Sequence, residues 1–214
     1  MNRDLGDERR EYERTNIERS SLPDDPMELF SHWLKEALQS GITDPTAMTL
    51  STVGLNGQPS SRIVLLKKVE KDSLVFYTSY LSKKSQEIKA NNKLAAHFYW
   101  SELERQVRII GTARPLEPED SDHYFRSRPY ESKIAAWASP QSEEIPSREY
   151  LEKEFEKYSK IYPDPEKIPR PDYWGGYAIL PTQIEFWQGG SKRLHDRIEY
   201  TLGEDGWRSL RLAP

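Results

Sequence analysis

Cysteine is absent from the chain, which excludes a disulfide framework, thiolate catalysis and any metal centre built on sulfur. Histidine occurs only four times, without the spacing of a metal-ligand set, so no resident metal is expected. No run approaches the roughly 18 consecutive apolar residues of a membrane span, and the N-terminal stretch MNRDLGDERREYERTNIERS has no apolar leader segment. These absences predict a soluble, cytoplasmic protein. Neither sign of charge dominates: 31 Lys+Arg stand against 35 Asp+Glu for a net −4, which argues against a general nucleic-acid binder and makes local clusters of cations informative. Hydrophobic residues make up only 36% of the 214, polar for a self-sufficient monomer. The strand-like segments are nevertheless rich in Val, Ile, Phe, Tyr and Trp, and the length suits one domain with a sizeable core.

The densest positive charge among apolar segments lies in residues 62–85, RIVLLKKVEKDSLVFYTSYLSKKS. Ile63, Val64, Leu65 and Leu66 form one short apolar run and residues 74–78 another, with turn residues between, which predicts a β-hairpin. Arg62 and Lys67 bracket the first run at an odd spacing, so strand alternation sends them to opposite faces, suited to two different anions. Tyr77 and Thr78 close the second run. Ser82 is then the expected N-cap of a helix to about Asn91, with Lys83 and Lys84 in its first turn. Cations there oppose the helix dipole, a placement suited either to a solvated surface or to a bound phosphate.

Taken in order, residues 1–22 read as a charged arm with little to bury, in which Arg9, Arg10 and Tyr12 form the one cluster of interest; residues 23–214 read as a single domain. Asp25-Pro26 supplies an N-cap and an N1 proline for a helix that Gly41 ends. Residues 47–53 and 60–69 flank Asn56-Gly57, a hairpin-turn dipeptide, and 94–100 and 105–115, the latter with Gln106, flank SELE. Three helical segments follow from residue 117. In the first, Tyr124 and Arg128 are four apart and Ser132 continues their line if Pro129 only kinks the path; Tyr, Arg and Ser on one line suit an anion, while an exposed Arg and Tyr on a helix are also commonplace. Residues 163–171, PDPEKIPRP, read as a stiff linker. Strands at 176–180, 183–188, 195–202 and 207–212 bring the number to nine. The pattern is mainly β with α, an α+β fold of the closed or split-barrel kind with peripheral helices.

The segment EFWQGGSKRLHDR gathers a second set of chemistry. Arg193, His195 and Arg197 lie at alternate positions, so an extended chain points all three one way, beside Trp187 and a Gly189-Gly190 pair that permits close backbone approach. A charged edge strand is the bland reading of the same residues.

In combination, residues 62–67, Tyr77-Thr78, Ser82-Lys83-Lys84, Arg105-Gln106, Tyr124 with Arg128 and Ser132, Gln141-Ser142, Trp187 and 193–197, ending in RLAP, resemble the pyridoxamine 5′-phosphate oxidases over the whole chain. The resemblance implies an FMN-dependent split-barrel homodimer that oxidises pyridoxamine or pyridoxine 5′-phosphate to pyridoxal 5′-phosphate, reducing O2 to H2O2. It assigns FMN to residues of both subunits: Arg62, Ile63, Val64, Leu65, Leu66 and Lys67 on one segment, Tyr77, Thr78, Lys83 and Lys84 on the next, and Gln106, Gln141, Ser142, Trp187 and Arg197 beyond. It assigns the substrate phosphate to Lys67, Tyr124, Arg128 and Ser132, and the pyridine ring to Arg193, Leu194 and His195, with Arg193 and His195 catalytic. Arg9 and Tyr12 resemble a lid over bound substrate. One departure stands out, because Ser82-Lys83-Lys84 replaces the family's usual Ser-Arg-Lys and loses an arginine's bidentate phosphate contact. Asp44, in TDPTAM, is a candidate base that is equally a turn residue. A related flavin oxidase of phenazine type and a non-catalytic carrier of FMN or pyridoxal phosphate remain as alternatives.

Overall fold

The computed structural model describes residues 11, 12, 17, 18 and 22–214. Among the described residues, five α-helices and nine β-strands give the α+β class expected from sequence. Strands β1 (Ala47–Val53), β2 (Pro59–Leu65), β3 (Lys68–Val69), β4 (Leu74–Ser79), β5 (Lys93–Trp100), β6 (Arg105–Pro115), β7 (Trp174–Gln188), β8 (Asp196–Gly203) and β9 (Gly206–Leu212) follow the order β2-β1-β5-β6-β7-β4-β3, with β8 paired to β7 and β9 to β8. The chain divides into two compact units. One takes the described residues up to Thr49 together with Ala96–Ile110 and Pro181–Pro214; the other takes Leu50–Ala95 and Gly111–Leu180.

In the first unit, helix α1 (Pro26–Gln39) begins as its sequence dictates. Asp25 is extended and its carboxylate accepts from the Met27 backbone N–H, with Pro26 at the first helical position. The helix buries one face: Phe30 meets Phe98 of β5 (Lys93–Trp100), and Trp33 meets Phe186 of β7 (Trp174–Gln188) edge-on at 5.3 Å. Strand β7 pairs with β8 (Asp196–Gly203), which turns through Glu204 and Asp205 into β9 (Gly206–Leu212).

In the second unit, β4 (Leu74–Ser79) pairs with β3 (Lys68–Val69) and with residues 174–179 of β7, and it is apolar because nearly every position is buried. A separate cluster of Phe125, Ile134, Ile168 and Trp174 forms under helices α3 (Pro118–Ser127) and α4 (Tyr130–Ala138). Ile168 comes from the proline-rich stretch read as a linker; that stretch contains a 3₁₀ turn at Pro165–Lys167 and is anchored by this side chain.

Several sequence expectations change. The predicted 60–69 strand is two, β2 (Pro59–Leu65) and β3, with Leu66 and Lys67 between them. Alternation therefore does not govern Lys67, and the opposite-face argument fails. Within this chain Ile63 and Leu65 on β2 are 63% and 39% exposed, so the apolar run is not core; β2 is an edge strand, and only Leu66 is buried. Conversely, 176–180 and 183–188 belong to one strand, β7. Pro181 fits inside it because it falls between the register with β4, which ends at Ile179, and the register with β8, which starts at Gln183.

Asp25→Ala removes the α1 cap, and the expected cost is about 1 kcal/mol of unfolding free energy by urea denaturation, with an unchanged m-value.

Candidate functional site

The cation-rich cavity of the second unit has a volume of about 590 Å³. Among the described residues its lining includes Arg62, Lys67, Lys83, Lys84 and Arg128 and no carboxylate. Ile63, Val64, Leu65, Tyr77, Thr78, Gln141 and Ser142 also line it, so residues from the 62–85 segment and from residue 124 onward share one cavity. Arg62 and Lys67 face this one cavity together.

Arg62 is held rigidly. It donates through Nη1 to Thr52 Oγ1 (2.5 Å) and through Nη2 to Ser60 Oγ (2.6 Å), and the Glu87 carboxylate lies 3.3 Å from Nη2. Burial pushes Glu87 up, yet hydrogen bonds from Thr52 and Ser60 and the Arg62 charge hold it below the usual carboxylate range. Helix α2 (Lys83–Ala90) carries Glu87 on a buried position and puts Lys83 and Lys84 in its first turn. Ser82 occupies the N-cap position, but its hydroxyl donates to the Ser79 carbonyl (2.7 Å) and leaves the first N–H groups of α2 without a side-chain cap.

Lys84 is buried and, among the described residues, its ammonium donates only to hydroxyls, Thr78 Oγ1 at 2.9 Å and Ser82 Oγ at 3.1 Å. Burial, and then the Arg62 charge, push it down to about 8. An ammonium held there with no counter-charge suits an anionic ligand. Thr78 in turn donates to Gln141 Oε1 (3.0 Å), which also accepts from the Ser79 N–H (3.1 Å). Ser142, beside Gln141, has a left-handed φ of 76°, a strained conformation for a residue with a side chain.

At the cavity's other wall, Tyr77 and Tyr124 stack with centroids 3.8 Å apart, and Trp174 lies nearly parallel to Tyr77 at 5.5 Å. Burial, then the neighbouring Tyr124, push the Tyr77 phenol up to about 12, and burial raises Tyr124, so both stay protonated donors at neutral pH. Helix α3 stops at Ser127. Arg128 is extended because Pro129 disfavours a helical residue before it, and α4 then starts afresh. The helical line of Tyr124, Arg128 and Ser132 therefore does not exist; Tyr124 and Arg128 still share the cavity, while Ser132, half-buried in α4, is absent from its lining. Among the described residues, Arg128 Nη1 is the one buried side-chain nitrogen or oxygen without a hydrogen-bond partner.

The remaining candidates lie in the first unit. Residues Ser191–Arg193 form a 3₁₀ turn with Lys192 and Arg193 both left-handed, and β8 starts at Asp196, so the alternation expected for 193, 195 and 197 is absent. Arg193 and Leu194 are exposed. His195 accepts through Nδ1 from the Gly190 N–H (3.2 Å) and packs against Trp187 at 4.8 Å and edge-on to Tyr12 at 5.5 Å. Arg197 is engaged by Glu185, from Nε to Oε1 at 2.8 Å, and donates to the Ala213 carbonyl. Gln106 Oε1 lies 3.0 Å from His97 Nε2. The glycine pair is approached by the chain itself: a Cβ on Gly189 meets the Tyr12 ring at 2.8 Å, and one on Gly190 meets the Leu194 carbonyl at 2.4 Å. Arg9 lies outside the described residues. Asp44 is exposed, left-handed and closes a turn to the Ala47 N–H.

Sequence reasoning missed Glu87, Trp174 and Glu185. Each acts on a cation far along the chain, and no local spacing marks such a pairing.

Fold and cavity together define an α+β protein whose site has the charge to take anionic ligands. Residues 34–162 match the family described as pyridoxamine 5′-phosphate oxidase, and residues 174–214 match the pyridoxine 5′-phosphate oxidase C-terminal dimerisation region. The chain belongs to the pyridoxamine 5′-phosphate oxidase family. It is 49% identical over 215 residues to the pyridoxine/pyridoxamine 5′-phosphate oxidase of Cytophaga hutchinsonii and 48% identical over 215 residues to that of Chromobacterium violaceum, covering all of both chains in each case. Among solved structures it resembles PhzG of Burkholderia lata, crystallised with tetrahydrophenazine-1-carboxylic acid, at a TM-score of 0.89 and 28% identity over 95% of this chain and 99% of that one. Among the described residues no helix is long and apolar enough to cross a membrane.

Lys84→Met tests the uncompensated charge in ligand-free protein. Between about pH 8 and 10.5 the unfolded chain keeps the Lys84 proton that the folded protein has released, so this lysine makes wild-type stability rise with pH there. The variant is expected to melt above wild type at about pH 6.5, with the gap narrowing as pH rises through about 8; a gap independent of pH contradicts the assignment.

Proposed function

We propose that the protein oxidises pyridoxamine 5′-phosphate and pyridoxine 5′-phosphate to pyridoxal 5′-phosphate, with FMN as cofactor and O2 as final acceptor. The observation that carries this reading is the excess of cations in the cavity: Arg62, Lys67, Lys83, Lys84 and Arg128 without a carboxylate in the lining. Two phosphate monoesters bring about −3 to −4 at neutral pH, a charge that these side chains match. A buried ammonium bonded only to hydroxyls and a buried guanidinium nitrogen with no partner fit such ligands.

In this reading Arg62, Lys83 and Lys84, with the first N–H groups of α2, Thr78 and Ser142, hold the FMN phosphate. Glu87 keeps Arg62 in place by its ion pair. Lys67, Tyr124 and Arg128, with Ser132, take the substrate phosphate, and the two tyrosines stay protonated to donate. Arg193, Leu194 and His195 address the pyridine ring, and Tyr12, packed on Trp187 and His195, covers it. FMN held by these residues would supply the two-electron acceptor for a hydride from the substrate's C4′, with O2 as the final oxidant, reduced to H2O2. Arg193 stabilises negative charge on the pyridine oxygen as the aldehyde forms, and His195 is oriented for the same oxygen by the Gly190 N–H on its other ring nitrogen. For the amine, water replaces the amino group and ammonia leaves, so the sum is amine, O2 and water to aldehyde, ammonia and H2O2.

The active form in this reading is a homodimer in which both subunits contribute to each flavin site, through Gln106, Trp187 and Arg197 in addition to the cavity residues. The match of residues 174–214 to a dimerisation region and the exposed Ile63 and Leu65 on edge strand β2 support it. Its place is the cytoplasm. PhzG raises a second reading, oxidation of a phenazine precursor, which gives the half-buried Arg128 and Tyr124 no phosphate to hold.

Arg128→Ala is expected to raise KM for pyridoxamine 5′-phosphate with FMN content unchanged, because it removes a contact remote from the reacting carbon. Arg193→Ala is expected to lower kcat by about 10²-fold, as for loss of an oxyanion-type donor. Steady-state kinetics on flavin-replete protein separates the two, and an unchanged KM in Arg128→Ala favours the phenazine-type reading.

A further inference from the structure

Arg128 is half-buried, and its Nη1 is fully buried in the company of rings. Its guanidinium carbon lies 4.4 Å from the centroid of Trp174 and 5.6 Å from that of Phe125, and among the described residues no carboxylate lies within ion-pair distance of it. Cations at such sites are ordinarily compensated by an acid, as Arg170 is by Asp122 and Arg105 by Glu36 in this chain. A carboxylate consumes the in-plane N–H donors it pairs with and cancels the charge. An aromatic face attracts the same cation from above its plane and leaves the N–H groups unengaged. Nη1 of Arg128, buried and without a partner, is what such an arrangement leaves over.

Trp174 has the placement to impose that geometry. It is 7% exposed, fixed at the start of β7, packed edge-on against Phe125 at 5.2 Å, and it still contributes to the cavity wall. Its ring lies nearly parallel to those of Tyr77 and Tyr124, so one set of aligned aromatics carries both the proposed tyrosine donor and the guanidinium. We propose that Trp174 is the positioning residue for Arg128: its indole face compensates the guanidinium while keeping its donors free, and thereby sets the preference for a phosphorylated over an unphosphorylated substrate. The inference rests on the oxidase reading above and concerns a residue to which that reading gives no role.

The test compares Trp174→Leu, Trp174→Phe and wild type, each flavin-replete, with pyridoxamine 5′-phosphate and with unphosphorylated pyridoxamine. For Trp174→Leu the expected result is a KM for the phosphorylated amine raised about tenfold, the scale of a lost desolvated cation–π contact, with kcat/KM for the unphosphorylated amine unchanged. Trp174→Phe keeps an aromatic face and is expected to restore most of the loss, leaving a rise of about two- to threefold. On an Arg128→Ala background, Trp174→Leu is expected to add nothing further. Equal losses for both amines, or effects that add on the Arg128→Ala background, overturn the inference while leaving the oxidase reading intact. An Arg128→Ala variant that keeps the wild-type preference for the phosphorylated amine overturns the phosphate clamp and this inference together. If the leucine variant does not fold, Trp174→Phe alone decides, and the absence of any rise in KM for the phosphorylated amine overturns the proposal.

Discussion

The structure depends on positive charge left uncompensated in a partly buried place. Lys84 and Arg128 sit where burial penalises their charged forms, and neither is paired with an acid among the described residues. A fold that tolerates this forgoes stability that an apolar or ion-paired arrangement would recover. The cost has a purpose when a ligand of opposite charge completes the site, and two phosphate monoesters supply the required sign and amount.

The surrounding structure keeps these cations in place without neutralising them. Glu87 faces Arg62 and is itself held by Thr52 and Ser60, so the acid closest to the cluster serves one arginine and is absent from the cavity wall. Hydroxyls rather than carboxylates receive the Lys84 protons, and ring faces rather than carboxylates receive Arg128. Neutral partners fix geometry while leaving the field of the charge available to a ligand. In the other unit the logic is reversed: Arg197 and Arg108 converge on Glu185, and His195 lies among aromatic rings, so this region offers shape and orientation more than net charge.

Features set by neighbours in sequence were legible before any coordinates. Asp25-Pro26 starts α1, Asn56-Gly57 turns β1 (Ala47–Val53) into β2 with Gly57 at φ 76°, and Lys83-Lys84 open α2. The resemblance grouped 62–85 with Tyr124 and Arg128, which line one cavity, whereas the two spacing arguments failed, because Pro129 resets the chain and Lys67 lies past the end of β2. The 193–197 segment misled for a similar reason: two successive left-handed residues break the alternation that an extended chain imposes. Glu87 and Trp174 were invisible, since an acid that steadies an arginine 25 residues away and a ring that carries one 46 positions earlier leave no periodic trace.

The most direct test of the account is the affinity of ligand-free protein for FMN compared with riboflavin, which differ by the phosphate alone. If the uncompensated cations are there for that group, FMN binds tighter by at least about 100-fold, the value of two charge-assisted hydrogen bonds, and the difference shrinks with added salt. Equal affinities would contradict the account, because the charge that the fold maintains in this cavity would then have no bearing on the ligand it receives.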